Sequence, residues 1–232
     1  MFAADVYIER RHRLKEQIQS GLILFLGNEE SPMNYPDNQY PFRQDSSFLY
    51  FFGLNCPSLA AIVDVDRDKE VIFGNDLTVD DIIWTGPQPV LSERSEAAGI
   101  SESAGLDKFR SALEQAVQQG RDIHFLPQYR AQNTLKIAEL LEISPLRVQE
   151  HVSEALIRAV VAQRSIKSEQ EIREIESALD ISYEMQTAAM KMSKPGLYER
   201  EIAGAMEGIV LSLGGRLSFP TIFSVHGETL HN

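Results

Sequence analysis

A chain of 232 residues is long enough for one large domain or two small ones, and its 43% hydrophobic and 24% charged content is ordinary for a globular protein. The formal net charge of -12 argues against a nucleic-acid partner, because phosphate contacts need clustered Lys and Arg, and against an anionic membrane surface. No apolar run approaches the ~20 residues that span a bilayer, residues 1–13 carry no signal-peptide core, and a single cysteine, Cys56, excludes an internal disulfide framework. A cytoplasmic protein is expected.

Residues 5–19 read as a helix, with Val6, Leu14 and Ile18 as a partial apolar stripe, a basic opposite face, and Gly21 just beyond the end. Leu22 to Leu26 is continuously apolar and stops at Gly27-Asn28, the pattern of a strand buried on both faces. Residues 29–39, with two prolines and two asparagines, form a loop. The stretch 40–53 holds five aromatic residues between Phe42 and Phe52 and is expected to be a core strand, entered through Arg43 and Asp45 on one face; a substrate-binding role for Arg43 is the alternative. Residues 59–65 and 70–73 are apolar strands whose spacer, 66–69, has hairpin composition.

Residues 78–84 read as a short helix with Thr78 as N-cap and Asp80 and Asp81 in its first turn. Trp84, the only tryptophan, leads into the turn Thr85-Gly86-Pro87 and is either a core or surface anchor or a ligand-facing residue. Helix 107–118 carries Phe109, Leu113 and Val117 at four-residue spacing; 122–126 is a strand with His124 in a structural role; helix 131–141 places Leu135, Ala138 and Leu141 on one side. Helices interspersed with apolar strands imply an α/β layer fold with a mixed sheet.

A helix is expected over 149–163, with Val152, Leu156, Ala159 and Val160 on one face. Ser168-Glu-Gln-Glu171 has the capping-box pattern and opens a long amphipathic helix reaching about residue 193, with Ile172, Ile175, Leu179, Tyr183, Gln186 and Met190 recurring every three or four positions. Pro195-Gly196 breaks the chain before a helix over 197–213, which Gly214-Gly215 ends. Residues 219–232 begin as an apolar strand bearing His226 and His231. Two helices and one strand after Ser165 do not make a stable domain, and a strand there lacks sheet partners; the expectation is that the chain stops inside a larger unit.

His226 and His231 are five apart, which is not the four-residue helical spacing of a His-Glu-x-x-His zinc site; a two-histidine metal site with Glu228 as third ligand is the alternative. No nucleophile triad or phosphate loop is legible, and Cys56 before Pro57 has no evident base. Spacing alone yields no complete active site.

A family resemblance adds what spacing lacks. Tyr40-Pro-Phe-Arg-Gln-Asp-Ser-Ser-Phe-Leu-Tyr-Phe-Phe-Gly-Leu54 resembles the signature of the aminopeptidase P N-terminal domain, and Ile82-Ile-Trp-Thr-Gly-Pro87 a second part of it. Arg164-Ser-Ile-Lys-Ser-Glu-Gln-Glu-Ile-Arg173, Lys194-Pro-Gly-Leu-Tyr-Glu-Arg-Glu-Ile202 and the terminal Gly-Glu-Thr-Leu-His-Asn232 resemble, in order, the linker and opening of a "pita-bread" metallopeptidase domain. The resemblance implies an N-terminal domain over 1–164 and the incomplete start of a pita-bread catalytic domain over 165–232. It implies that the parent protein is a Xaa-Pro aminopeptidase or prolidase-like enzyme. Such an enzyme releases an N-terminal residue preceding proline from proline-containing peptides with two divalent metal ions, usually manganese, and is a homodimer or higher homo-oligomer. The family's ligands, two Asp, one His and two Glu, would lie beyond Asn232, so this chain alone is expected to bind no metal pair and to be inactive. His231 matches the histidine that hydrogen-bonds substrate, and the tryptophan matching Trp84 lies, in some members, near a neighbouring subunit's active site. A metal-independent creatinase-like amidinohydrolase and a non-catalytic peptide-binding or dimerisation module are the alternatives.

Overall fold

The computed structural model describes residues 1–229. The chain divides into two compact units, Met1–Ile166 and Lys167–Asn232.

The first unit is built on a five-stranded mixed sheet of order β4-β3-β2-β1-β5. β1 (Leu22–Leu26) lies second from one edge, antiparallel to β2 (Ala60–Asp64) and parallel to the short β5 (Ile123–His124). β2 and β3 (Lys69–Phe73) form the expected antiparallel hairpin, and β3 runs parallel to β4 (Glu102–Ala104). Every residue of β1 is buried, and the reason is visible in the alternation. Ile23 and Phe25 face one core with Ala61, Val63 and Ile72, while Leu22, Leu24 and Leu26 face a second core with Ala60, Ile62 and Phe73. Both faces are covered, so the strand shows no polar alternation.

Helix α1 (Ala4–Ile18) packs on the first face through Leu14 and Ile18. Its basic side is buried in part: Arg10 and Arg11 are buried along with Tyr7. The segment expected as a core strand is instead helix α2 (Ser46–Phe52). Asp45 caps it by accepting from the amides of Ser47 and Phe48, both at 2.9 Å, and Gly53 at φ 69° ends it. Phe48, Phe51 and Phe52 recur at i, i+3, i+4, the spacing of a helical face, and all three are fully buried in the first core. Phe25 meets Phe51 and Phe52 at ring-centroid distances of 5.1 and 5.4 Å.

Helix α3 (Val79–Thr85) follows the hairpin, and α4 (Leu91–Ala97) closes the first core with Leu91. Helices α5 (Leu106–Gln118) and α6 (Ala131–Leu140) cover the second face. On α5 the inward set is Phe109, Leu113 and Ala116, with Val117 exposed; on α6 it is Ile137, Ala138 and Leu140, with Leu135 exposed. The buried stripe is shifted by one position on α5, from Val117 to Ala116, and by two at the start of α6, from Leu135 to Ile137, since three- and four-residue spacings pass each other around a 3.6-residue turn. The helix expected over 149–163 begins later, as α7 (Glu154–Ser165), after a 3-10 segment at Pro145–His151. Ser153 caps α7, and Leu156, Ala159 and Val160 join the first core.

The second unit contains α8 (Glu169–Met192) and α9 (Glu199–Ser212). The capping box at Ser168 forms as expected: Glu171 N–H donates to Ser168 Oγ at 3.3 Å and Ser168 N–H to Glu171 Oε2 at 2.8 Å. Ala189, Ile202 and Met206 make a small core with Phe223 packed against it. The strand expected from residue 219 is not formed: residues 219–229 belong to no ladder, because no strand within this unit can pair with them. That stretch is held by Thr221 Oγ1 donating to Glu207 at 2.7 Å and by Val225 N–H donating to Glu199 at 2.6 Å. Among the described residues, no helix is long and apolar enough to cross a membrane.

Candidate functional site

Of the two residues the sequence singles out, Trp84 is placed and His231 lies outside the described residues. Trp84 sits near the end of α3, on an excursion that leaves β3 and returns at α4. The excursion is closed at its base, where Asp76 Oδ1 accepts from the Leu91 amide at 2.6 Å. The helix itself is fixed by local bonds. Thr78 Oγ1 donates to Asp81 Oδ2 at 2.6 Å, Thr78 N–H donates to the same oxygen at 2.8 Å, and Asp81 N–H returns a bond to Thr78 Oγ1 at 3.2 Å. These bonds, the side-chain one first, hold the Asp81 carboxyl below its ordinary pKa. Thr85 Oγ1 donates to the Asp81 carbonyl at 2.8 Å, and Gly86 at φ 76° turns the chain away.

No residue of α3 is buried. Trp84 is 88% exposed, and Val79, Ile82 and Ile83 are exposed beside it. A capped seven-residue helix that buries nothing is not made by a core. It presents an indole on a short capped helix, a group suited to stacking and apolar contact. The reading of Trp84 as a core residue is therefore excluded. Val79 and Ile83 are its exposed apolar companions, and their four-residue spacing in the sequence is the signal that marks them.

Arg43 and Asp45 stand at the entrance to helix α2 and not to a strand. Asp45 is occupied by the α2 cap, and the Arg43 carbonyl accepts from Asn28 Nδ2 at 2.8 Å. Asn28 also donates to Tyr129 Oη at 2.9 Å, and buried Gln44 accepts from the Asn28 amide at 2.7 Å while donating to the Cys56 carbonyl at 2.8 Å. This network ties the loop after β1 to the start of α2. The Cys56 thiol lies beside it; burial pushes its pKa up and the nearby Arg94 opposes that, so the thiol is a poor nucleophile. His124 has the structural role expected, with Nδ1 at 2.8 Å from Ser153 Oγ and Nε2 at 3.2 Å from the Ser20 carbonyl.

His226 Nδ1 lies 3.4 Å from Glu228 Oε1, both side chains largely exposed. Among the described residues, no three His, Cys, Asp or Glu side chains gather as a metal could require.

Fold and site together define an α/β domain that holds an aromatic contact surface clear of its core. A family model described as "Aminopeptidase P, N-terminal domain" matches residues 7–124, just over half of the chain, and the chain belongs to that family. A probable Xaa-Pro aminopeptidase of Aspergillus fumigatus is 25% identical over 98% of this chain and 50% of its own length. The Xaa-Pro aminopeptidase of Escherichia coli is 27% identical over 84% of this chain and 46% of its own length. Solved structures of Escherichia coli aminopeptidase P, in a low-pH form and in a zinc-substituted form in complex with product, superpose with a TM-score of 0.73 at 25% identity, covering 93% of this chain and 51% of theirs. The chain spans about half the length of the relatives it matches.

Proposed function

We propose that this chain supplies the N-terminal domain, and the opening helices of a pita-bread catalytic domain, to a Xaa-Pro aminopeptidase that releases the residue preceding proline from a peptide N-terminus. The observation that carries the reading is the match to Xaa-Pro aminopeptidases along nearly the whole chain, α8 and α9 included, not only along the family domain. In this reading Trp84 contacts the substrate, its indole lying against an apolar or proline side chain at the active site of a second subunit in a homo-oligomer. His231 donates a hydrogen bond to substrate and to the oxyanion that develops on the scissile carbonyl. A pair of divalent metals, manganese by family expectation, would supply a nucleophilic water. The described residues contain no set of side chains that could hold such a pair, so no step through it is derived for this chain.

The test has two arms. The coding sequence past codon 232 should contain two Asp, one His and two Glu in ligand order, and the complete product should cleave an Ala-Pro peptide with manganese and lose that activity in EDTA. Absence of the ligand set, or cleavage unaffected by the chelator, would sink the peptidase reading. In the active protein, Trp84→Ala should raise KM for longer peptides with a smaller effect on kcat, since a residue remote from the reacting bond contributes mainly uniform binding. The 232-residue chain alone should release no amino acid from the same peptide.

A further inference from the structure

Strand β5 is shorter than the strand it flanks. β1 runs to Leu26, but β5 pairs with it only at Leu22 and Ile23. Backbone groups alternate sides along β1. The Leu22 amide donates to the Asp122 carbonyl on the β5 side at 2.9 Å, and the Gly27 amide donates to the Leu59 carbonyl on the β2 side at 2.8 Å. By that alternation the Leu24 carbonyl and the Leu26 amide point to the β5 side, beyond the last pair. Leu126 would meet both if the ladder ran on, but its carbonyl accepts from Gln128 Nε2 at 2.8 Å instead. Among the described residues, no hydrogen bond reaches the Leu24 carbonyl or the Leu26 amide, although Leu24 and Leu26 are only 2% and 5% exposed. Buried peptide groups are rarely left unpaired.

A cleft of about 380 Å³ opens at this place, within the ~300–1,000 Å³ range of ligand clefts. It is walled by the edge of β1, by residues 126–129 and by α7 through Ile157, Val160 and Val161. Leu24 and Leu26 turn their side chains to the second core, whereas Val160 belongs to the first. What these two leucines offer the cleft is therefore main chain, facing an apolar helix wall.

We propose that this cleft binds a single apolar residue flanked by two peptide groups, as in an N-acylated amino-acid amide. The bound residue runs parallel to β1 opposite Phe25. Its N–H donates to the Leu24 carbonyl and its C=O accepts from the Leu26 amide, the two bonds that one residue makes to a parallel neighbour. A residue opposite Phe25 shares its side of the sheet, so the bound side chain points toward α7 and lies against Val160 and Val161. The site uses no group invoked for peptide cleavage and is independent of that reading.

The test titrates the isotope-labelled 232-residue chain with N-acetyl-leucine methylamide. Two further probes each change one feature: a methyl on the leucine nitrogen removes the donor, and glycine in place of leucine removes the side chain. The parent probe should give saturable shifts at the amides of Leu26, Val160 and Val161, with the Leu26 amide proton moving downfield as it gains an acceptor. Each altered probe should bind about tenfold more weakly, for one hydrogen bond left unmade or one apolar side chain left out. Val161→Glu, at a side chain 56% exposed, should weaken the parent probe about tenfold and leave the resonances of β3 and α5 in place. Equal affinity for the parent and N-methylated probes, an unmoved Leu26 amide, or indifference to Val161→Glu would overturn the proposal. The probe comparison decides it if Val161→Glu disturbs the fold.

Discussion

Arg11 belongs to the basic face of its helix, yet its side chain is fully buried. It is tolerated because every arm has a partner. Nε donates to Glu70 at 2.6 Å, Nη1 to the Phe51 carbonyl at 2.8 Å and Nη2 to the Gly99 carbonyl at 3.2 Å. Burial lowers its pKa from the ordinary value and Glu70 opposes the change, so the guanidinium remains charged. Arg11→Met leaves the Phe51 and Gly99 carbonyls without their donor and Glu70 with Lys15 alone, at 3.0 Å, and should cost about 3–5 kcal/mol in urea unfolding; Arg11→Lys should recover little, because an ammonium cannot serve three separated acceptors. The hairpin turn offers a pH test. The Gly21 amide first, then Arg121, hold the Asp66 carboxyl below its usual pKa, and Lys15 does the same for Asp68. With folded pKa values depressed, the unfolded chain binds more protons in that range. The stabilisation is complete above about pH 4 and is lost as pH falls through the lower folded values. Replacing both aspartates by asparagine should flatten the decline of the urea midpoint below about pH 4, and an unchanged decline would assign it to other carboxylates.

At the scale of an element, α3 can be loosened without touching the core. Thr78→Ala removes the cap and should cost the helix about 1 kcal/mol. Because no α3 residue is buried, that loss should stay local: faster amide exchange over residues 82–85 and altered Trp84 fluorescence, with an unchanged global midpoint. A lowered midpoint would mean the excursion supports the sheet. The contrast between α2 and β1 shows what was legible and why. β1 could be read because a short, wholly apolar run between glycines has few other solutions. α2 was misread because aromatic residues favour strands in composition, whereas the i, i+3, i+4 spacing of Phe48, Phe51 and Phe52 and the Asp45 cap pointed to a helix. The Ser168 box was legible since it needs only four consecutive residues. The burial of Arg10 and Arg11 was not, since their acceptors, the carbonyls of Tyr50, Phe51 and Gly99, are distant in sequence. Trp84 could be singled out as a lone tryptophan before a turn, but its exposure depends on how the excursion leaves the sheet, which no local pattern records.

For the molecule as a whole, the two units differ in how their apolar residues are used. In the first unit both faces of the sheet carry a core packed by helices. In the second the buried set is small, while Ile172, Ile175, Leu179 and Tyr183 form an exposed stripe along α8. An amphipathic helix normally turns such a stripe inward. The difference can be measured with a pair of variants. Met206 is buried in the second unit's core, so Met206→Ala should cost about 2–5 kcal/mol and speed amide exchange through α9 while exchange in β1 and β2 stays slow. Leu179 is 59% exposed, so Leu179→Glu should change stability by less than about 0.5 kcal/mol. A cost for Leu179→Glu that approached the Met206→Ala value and grew with protein concentration would mean the stripe is covered in solution by a second chain, since only an intermolecular contact makes stability depend on concentration.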